Sequence, residues 1–141
     1  PIVLHSVAMS IAGLDPLDED YLAAYADLAR TTGALWASDH LCFSGGHGVA
    51  YHDLLPLPFT EEAVKHVAGR IRELADRLER PVGVENISFY AFMPGSTMTH
   101  GEFVTAVTEP AVFAADCGPS GDASRLDLGA YAVFRIEWEA A

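Results

Sequence analysis

The chain has 141 residues, half of them hydrophobic, which suits a domain with a buried core. Its net charge of −12, with only 8 Lys and Arg, argues against nucleic acid or an anionic membrane surface as the main partner. Cys42 and Cys117 are too few for a disulfide scaffold, so a reducing, cytoplasmic setting is expected. No apolar run approaches the roughly 20 residues of a membrane span, and nothing resembles a signal peptide.

The first part of the chain predicts a strand followed by a helix. Residues 2–11 are largely apolar and compatible with a β-strand. Asp15 followed by Pro16 predicts the start of a helix, and Gly33 predicts its end. The predicted apolar face of this helix consists of Tyr21, Leu22, Tyr25, Leu28 and Ala29.

Two more strand–helix units are predicted downstream. Residues 34–37 predict a short buried strand, and the glycine-rich residues 45–48 predict a loop. Thr60 is a predicted cap for a helix whose apolar residues recur every three or four positions. Residues 82–84 predict the third strand, and residues 99–102 match a capping box. The repeated order of strand and helix predicts an α/β fold with parallel strands and right-handed crossovers.

The last part of the chain departs from this pattern at Pro110. Residues 117–122 resemble a loop where the next buried strand is expected, and residues 126–138 are β-compatible but are followed by no helix. We therefore expect a fold unit at 1–109 and a divergent tail at 110–141. The chain also begins at Pro1, directly before a predicted strand, which favours a piece of a longer protein.

Three side chains that can bind metals follow the predicted strands: His5, His40 and Glu85. The carboxyl ends of parallel strands converge on one face of an α/β barrel, where catalytic residues lie. Each of these residues taken alone is more simply a hydrogen-bonded structural residue. Their equivalent positions in three successive units make a metal site an equal alternative, and imidazole with carboxylate favours iron, zinc or manganese over calcium.

Four neighbouring residues are candidates for contacts with the substrate or with a metal ligand. Asp39 and His40 are neighbours on a strand, so their side chains should point to opposite faces. If His40 faces the site, a structural hydrogen bond is the favoured role for Asp39. Asn86 follows Glu85 directly and is compatible with a functional contact or with loop stabilisation. His52 and Asp53 precede a proline-rich segment that could hold them over the strand ends.

The remaining candidates are expected to have no chemical role. Cys42 lies near the predicted site, but a buried free cysteine is usually inert. His47 is flanked by glycines and is expected to be exposed to solvent. His66 and His100 lie on a predicted helix and at a helix start, and both are expected on the surface.

Five phrases of the sequence resemble the DUF692 family, also called UPF0276. They are Leu-His-Ser-Val-x-x-Ser-Ile (4–11), Asp-Pro-Leu-Asp-Glu-Asp-Tyr-Leu (15–22), Ser-Asp-His-Leu-Cys (38–42), His-Asp-Leu-Leu-Pro-Leu-Pro-Phe-Thr-Glu-Glu-Ala (52–63) and Glu-Asn-Ile-Ser (85–88). The family includes the methanobactin-maturation iron oxygenase. The resemblance covers roughly residues 1–109, and the phrases occur in order and in register.

This resemblance implies a TIM barrel that holds two or three iron ions. Such enzymes use oxygen to modify cysteines of ribosomally made precursor peptides, often with a small partner protein that presents the peptide. The residues that match the family's iron ligands are His5, His40 and Glu85. Mixed histidine and carboxylate ligation leaves open positions on iron for oxygen and a substrate thiolate.

The chain departs from the family pattern at both ends. The family's first strand and its later ligand-bearing strands are not matched, so we predict a partial TIM (β/α)8 barrel of about three βα units, corresponding to family strands 2–4. Cys117-Gly118 runs into a sequence unlike the family's next strand, which favours a frameshift or an assembly error near residue 118. With part of the ligand set, the chain is expected to be inactive alone.

Two alternatives remain open. One is a folded but non-catalytic remnant or interaction module. The other is a different metal-dependent barrel, such as a sugar-phosphate isomerase or an endonuclease-like enzyme, which also places His and Glu at strand ends. The acidic charge disfavours the endonuclease, and the phrases at 38–42 and 52–58 disfavour both enzymes.

Overall fold

The computed structural model describes residues 1–88 and 91–108, together with the backbone of residues 113–116. In chain order its elements are β1 (Val3–His5), α1 (Glu19–Thr32), β2 (Trp36–His40), β3 (Phe43–Gly46), β4 (Val49–Leu55), α2 (Glu61–Leu78), β5 (Val82–Asn86), α3 (His100–Thr108) and β6 (Phe113–Asp116). Strands β1, β2, β5 and β6 form one parallel sheet in that order. The predicted α/β fold with a parallel sheet is confirmed.

The core combines the apolar faces of the helices with residues of the strands and the connecting loops. The predicted spacing in α2 is correct, since its buried residues are Val67, Ala68, Ile71, Leu74 and Leu78. Phe103 of α3 is fully buried beside them. Leu28 of α1, predicted on the apolar face, is instead 48% exposed. Within the described residues, no helix is both long and apolar enough to cross a membrane.

The first strand is much shorter than the predicted range of 2–11. The chain leaves the sheet after His5, because the buried carboxylate of Asp39 accepts a hydrogen bond from the Met9 backbone and Ser10 adopts a φ of 55°. Met9 and Ile11 nevertheless contribute to the core from this loop. Their apolar character therefore reflects loop burial rather than strand pairing.

The first helix starts three residues later than the predicted Asp15-Pro16 boundary. Asp18 is its N-cap and accepts a hydrogen bond from the Tyr21 backbone. Asp15 is engaged elsewhere, because its carbonyl accepts from the Arg70 guanidinium and its carboxylate accepts from the Gly48 backbone. The predicted end at Gly33 is correct, with φ of 64°.

Residues 43–55 form a β-hairpin, although the sequence predicted a loop at 45–48. His47 and Gly48 form its two-residue turn, with φ of 54° and 75°. Positive φ at both turn positions matches the right-handed twist of a hairpin. The strands pair at Phe43 with Leu55 and at Gly45 with Ala50, so β4 carries a bulge between these pairs.

The second strand also extends beyond its predicted range of 34–37. Its ladder with β5 continues to the pair His40 and Glu85, so Ser38, Asp39 and His40 lie within the strand. The predicted helix starts are confirmed: Thr60 accepts from the Ala63 backbone and caps α2. At the start of α3, Thr99 and Glu102 exchange hydrogen bonds.

The parallel sheet continues into residues 110–141, the segment predicted from the sequence to be a divergent tail. β6 pairs with β5 through four residues, from Gly83 with Phe113 to Asn86 with Asp116. The regular strand pattern therefore reaches residue 116. The predictions for residues 117–122 and 126–138 lie outside the described residues.

Candidate metal centre

Sheet register brings the three predicted ligands to one edge of the parallel sheet. His5 ends β1, His40 ends β2, and Glu85 is the penultimate residue of β5. His40 is the direct strand partner of Glu85. His5 is the partner of Ser38, which lies two residues before His40 and therefore on the same face of β2. All three side chains thus converge at the carboxyl end of the sheet.

The ligand atoms of these residues lie within 4.8 Å of one another. Glu85 lies between the two imidazoles, with Oε2 3.4 Å from His5 Nε2 and Oε1 3.8 Å from His40 Nε2. The imidazole rings meet edge to face with centroids 4.6 Å apart. Donor atoms about 2.1 Å from one ion, at angles near 90–110°, lie about 3.0–3.5 Å apart. The spacing of the residues therefore fits a shared metal ion after small side-chain adjustments.

The two histidines differ in their surroundings. His5 is partly exposed, and its Nδ1 lies 2.8 Å from the hydroxyl of Ser38. The His40 side chain is 12% exposed, and its buried Nδ1 has no hydrogen-bond partner among the described residues. The nearest carboxylate oxygen to that atom is Asp39 Oδ1, at 4.0 Å. Solvent can therefore approach the site from the His5 side.

Asp39 is the buried carboxylate beside the site. Its two oxygens accept hydrogen bonds from the backbone N–H groups of Met9 and His40. Burial raises the pKa of this carboxyl, while these bonds and the Ser6 hydroxyl lower it. Asp39 therefore fixes the loop after β1 to the end of β2, which is the backbone role that the sequence favoured for it.

The other predicted neighbours do not join the three ligands. Asn86 is buried, and its amide donates a hydrogen bond to the Ile87 carbonyl. His52 and Asp53 are exposed in the bulge of β4, where His52 adopts a φ of 55°. They line an open cavity of about 470 Å³ together with Val7, Ala8, Ser44, Ala50 and Leu54.

Cys42 lies two residues after His40 in the sequence and is buried, and burial raises the pKa of its thiol to about 12. His47 is exposed in the hairpin turn, as predicted. His66 and His100 are both partly buried, contrary to the prediction of surface positions. His66 Nε2 donates to the Gly13 carbonyl, and His100 stacks on Phe59.

Sequence reasoning missed two residues that support the ligands. Ser38 contacts the His5 ring, and the Tyr25 hydroxyl donates to the Ser38 carbonyl at 3.1 Å. Burial raises the pKa of Tyr25, so its phenol remains a donor. The spacing of Ser38 and His40 by two residues on one strand was a usable signal. No such signal exists for Tyr25, because its spacing on the helix already accounts for it as a core residue.

The fold and this cluster define a class of protein: an α/β protein with a candidate metal centre at the carboxyl edge of a parallel sheet. The family described as "RiPP precursor modification enzyme MbnB/TglH/ChrH" matches residues 1–118. The chain belongs to this family, whose members modify ribosomally made peptide precursors. The family resemblance seen in the sequence is confirmed.

The curated relatives carry UPF0276 names. The chain is 44% identical to a UPF0276 protein of Anaeromyxobacter over 131 residues, which is 92% of this chain and 44% of the relative. It is 42% identical to a UPF0276 protein of Neisseria meningitidis over 132 residues, or 45% of that relative. The chain therefore spans less than half the length of these relatives. Because the matches cover 92% of the chain, they extend into the segment 110–141. The frameshift or assembly error suspected near residue 118 stays a prediction.

Proposed function

We propose that His5, His40 and Glu85 hold iron in an enzyme that oxidatively modifies cysteines of ribosomally made precursor peptides. The observation that supports this most is the convergence of their ligand atoms within 4.8 Å at a strand-end edge. The family to which the chain belongs modifies the same class of peptide. In parallel α/β folds, the active site usually lies at the carboxyl ends of the strands, which is where these three residues lie.

The ligand chemistry suits iron, zinc or manganese, and the family resemblance favours iron among them. Two imidazoles and one carboxylate form the mixed set that non-haem iron commonly uses, and such a set leaves open coordination positions. When bound, iron would supply binding of the substrate thiolate and activation of oxygen. Cys42 is buried two residues after His40 and is not among the three residues whose ligand atoms cluster, so the proposed donors are nitrogen and oxygen atoms.

The chain's own residues would bind and orient the reactants. Glu85 would offset the positive charge of the ion between the two histidines, since its oxygens face both Nε2 atoms. The greater exposure of His5 leaves an approach for the peptide on the β1 side of the site. The buried side of His40 restricts water there. Asp39 and Asn86 hold the backbone at the ends of β2 and β5.

The peptide segment beside the modified cysteine would lie in the open cavity next to the loop after β1. His52 and Asp53 provide its charged and hydrogen-bonding groups, while Val7, Ala8 and Leu54 provide apolar contact. The positive φ of His52 is a conformation that costs energy for a residue other than glycine. His47 in the hairpin turn has nearly the same φ, so the substrate role proposed for His52 depends on the cavity that it lines and not on its backbone conformation.

The described sheet would form about three βα units of a TIM barrel, with a small partner protein presenting the peptide. The chain spans 44–45% of the length of the relatives above, so the activity of the whole protein remains a proposal. The three described ligands would serve one part of a multinuclear iron site. On this proposal we expect no turnover from the 141-residue chain alone.

The test is an assay of the native gene product. It would be purified with iron and mixed with oxygen and a cysteine-containing precursor peptide encoded beside its gene. The proposal predicts oxygen consumption and a mass change confined to a cysteine of the peptide. It also predicts loss of both signals in Glu85→Gln, whereas the exposed control Glu73→Gln should keep them. An active Glu85→Gln variant would contradict the proposal, and an inert native product would favour the non-catalytic remnant.

A further inference from the structure

The geometry points to Ser38 as the positioning residue of His5: its hydroxyl accepts the Nδ1 hydrogen of the imidazole and so directs Nε2 toward Glu85. This inference rests on the proposed metal centre, whose ligand His5 it concerns. Ser38 Oγ lies 2.8 Å from His5 Nδ1, and His5 Nε2 lies 3.4 Å from Glu85 Oε2. The two ring nitrogens thus face different partners at opposite edges of the imidazole.

The register of the sheet is the cause of this contact. Val3, Leu4 and His5 pair with Trp36, Ala37 and Ser38 in parallel, so His5 and Ser38 are direct neighbours across the strands. Ser38 also shares its face of β2 with His40. A short hydroxyl side chain at this position reaches the His5 ring, while the longer His40 side chain reaches Glu85.

The donors and acceptors around the Ser38 hydroxyl allow it to accept a hydrogen bond from His5 Nδ1. A serine hydroxyl donates one hydrogen and has two lone pairs. Ser38 Oγ donates to the Leu4 carbonyl at 3.4 Å, which leaves its lone pairs for the hydrogen on His5 Nδ1. An imidazole that carries its hydrogen on Nδ1 presents a lone pair at Nε2, the form that binds a metal.

The position of Ser38 is itself fixed. Its carbonyl accepts hydrogen bonds from the Tyr25 hydroxyl at 3.1 Å and from the Ser6 backbone at 2.8 Å. The residue is 6% exposed, so water has little access to replace its hydroxyl. A ligand-orienting hydrogen bond on a rigid strand limits ring rotation, and removal of such a bond commonly lowers metal affinity by about 10- to 100-fold.

The first test measures zinc binding, because zinc occupies nitrogen and oxygen sites of iron without redox chemistry. Ser38→Ala should bind zinc about tenfold more weakly than the unaltered chain, and Ser38→Thr, which keeps a hydroxyl, should restore binding. The matched control is Ser96→Ala, because the Ser96 hydroxyl also donates to a carbonyl, that of Met93, and accepts a backbone hydrogen bond from Phe59. This control should bind zinc normally.

The second test is nuclear magnetic resonance of ¹⁵N-labelled histidine in the metal-free chain. The Nδ1 hydrogen of His5 should be observed and protected from exchange in the unaltered chain and in Ser38→Thr, and it should be lost in Ser38→Ala. Unchanged zinc affinity or an unchanged Nδ1 signal in Ser38→Ala would overturn the inference. An unaltered chain that binds no zinc would contradict the proposed metal centre instead, and the metal-free spectrum would then decide the role of Ser38.

Discussion

The carboxylate of Asp39 is fully buried and accepts backbone hydrogen bonds with both of its oxygens. In Asp39→Asn, an amide N–H₂ group would face one of the two N–H donors, those of Met9 and His40. A buried donor without an acceptor costs about 1–3 kcal/mol, so we expect a loss of unfolding free energy in that range.

Urea unfolding of the Asp39→Asn chain measures this loss. Asp53→Asn is the matched control, because Asp53 also accepts a backbone hydrogen bond but is exposed. Surface substitutions of this kind usually change stability by less than about 0.5 kcal/mol. Equal stability of the two variants would show that Asp39 does not hold the loop after β1 to β2.

Cys42 should resist alkylation in the folded protein. Its side chain is 1% exposed, and a reagent must reach the sulfur before it can react. Peptide mass spectrometry after iodoacetamide treatment should find Cys42 unmodified under native conditions and modified in denaturant. Rapid native modification would mean that the residue is accessible at the site, and a ligand or nucleophile role would have to be considered.

The sequence was sufficient to predict the three clustered residues but not their supporting contacts. His5, His40 and Glu85 could be found because each lies at the predicted end of a strand, and the carboxyl ends of parallel strands meet at one edge of a sheet. The contact between Ser38 and His5 depends on the register of β1 with β2, which pattern alone does not determine. The burial of Asp39 could not be predicted either, because the sequence does not indicate which backbone N–H groups will donate hydrogen bonds to its carboxylate.

At the level of elements, the turn of the β3–β4 hairpin depends on Gly48. Its φ of 75° disfavours any side chain, although open space surrounds the position. We expect Gly48→Ala to weaken the hairpin by about 1–2 kcal/mol, because the left-handed conformation costs that much for a residue with a Cβ atom. Amide hydrogen exchange should show faster exchange in β3 and β4 with little change in α2.

Gly69 provides the matched control for this substitution. It also has open space around it, but it lies within α2, where alanine is favoured over glycine by about 1 kcal/mol. Gly69→Ala should therefore stabilise the protein while Gly48→Ala destabilises it. The same sign of effect in both variants would contradict the assigned backbone conformations.

Helices were the most predictable elements, and short strands and turns the least. The period of apolar residues in α2 and the capping residues Thr60 and Thr99 are local signals, and each was read correctly. The hairpin was missed because its strands contain glycines and few paired apolar residues. The range at 2–11 was too long because loop residues that fill the core resemble strand residues.

At the scale of the whole molecule, the parallel sheet offers a simple account of how distant segments make one site. Residues 5, 40 and 85 are separated by 35 and 45 positions, yet adjacent parallel strands place them at one edge. The chain matches its family over residues 1–118, so all three residues lie within the matched region. We propose that this edge binds iron.

The most direct measurement is an anaerobic titration of the purified chain with ferrous iron. The account predicts saturable binding by the unaltered chain and by Glu73→Gln, an exposed substitution on α2. It predicts affinity lower by more than about tenfold in Glu85→Gln, because the neutral amide is a far weaker ligand than the carboxylate between the two imidazoles. No binding by the unaltered chain, or equal binding by all three, would contradict the account.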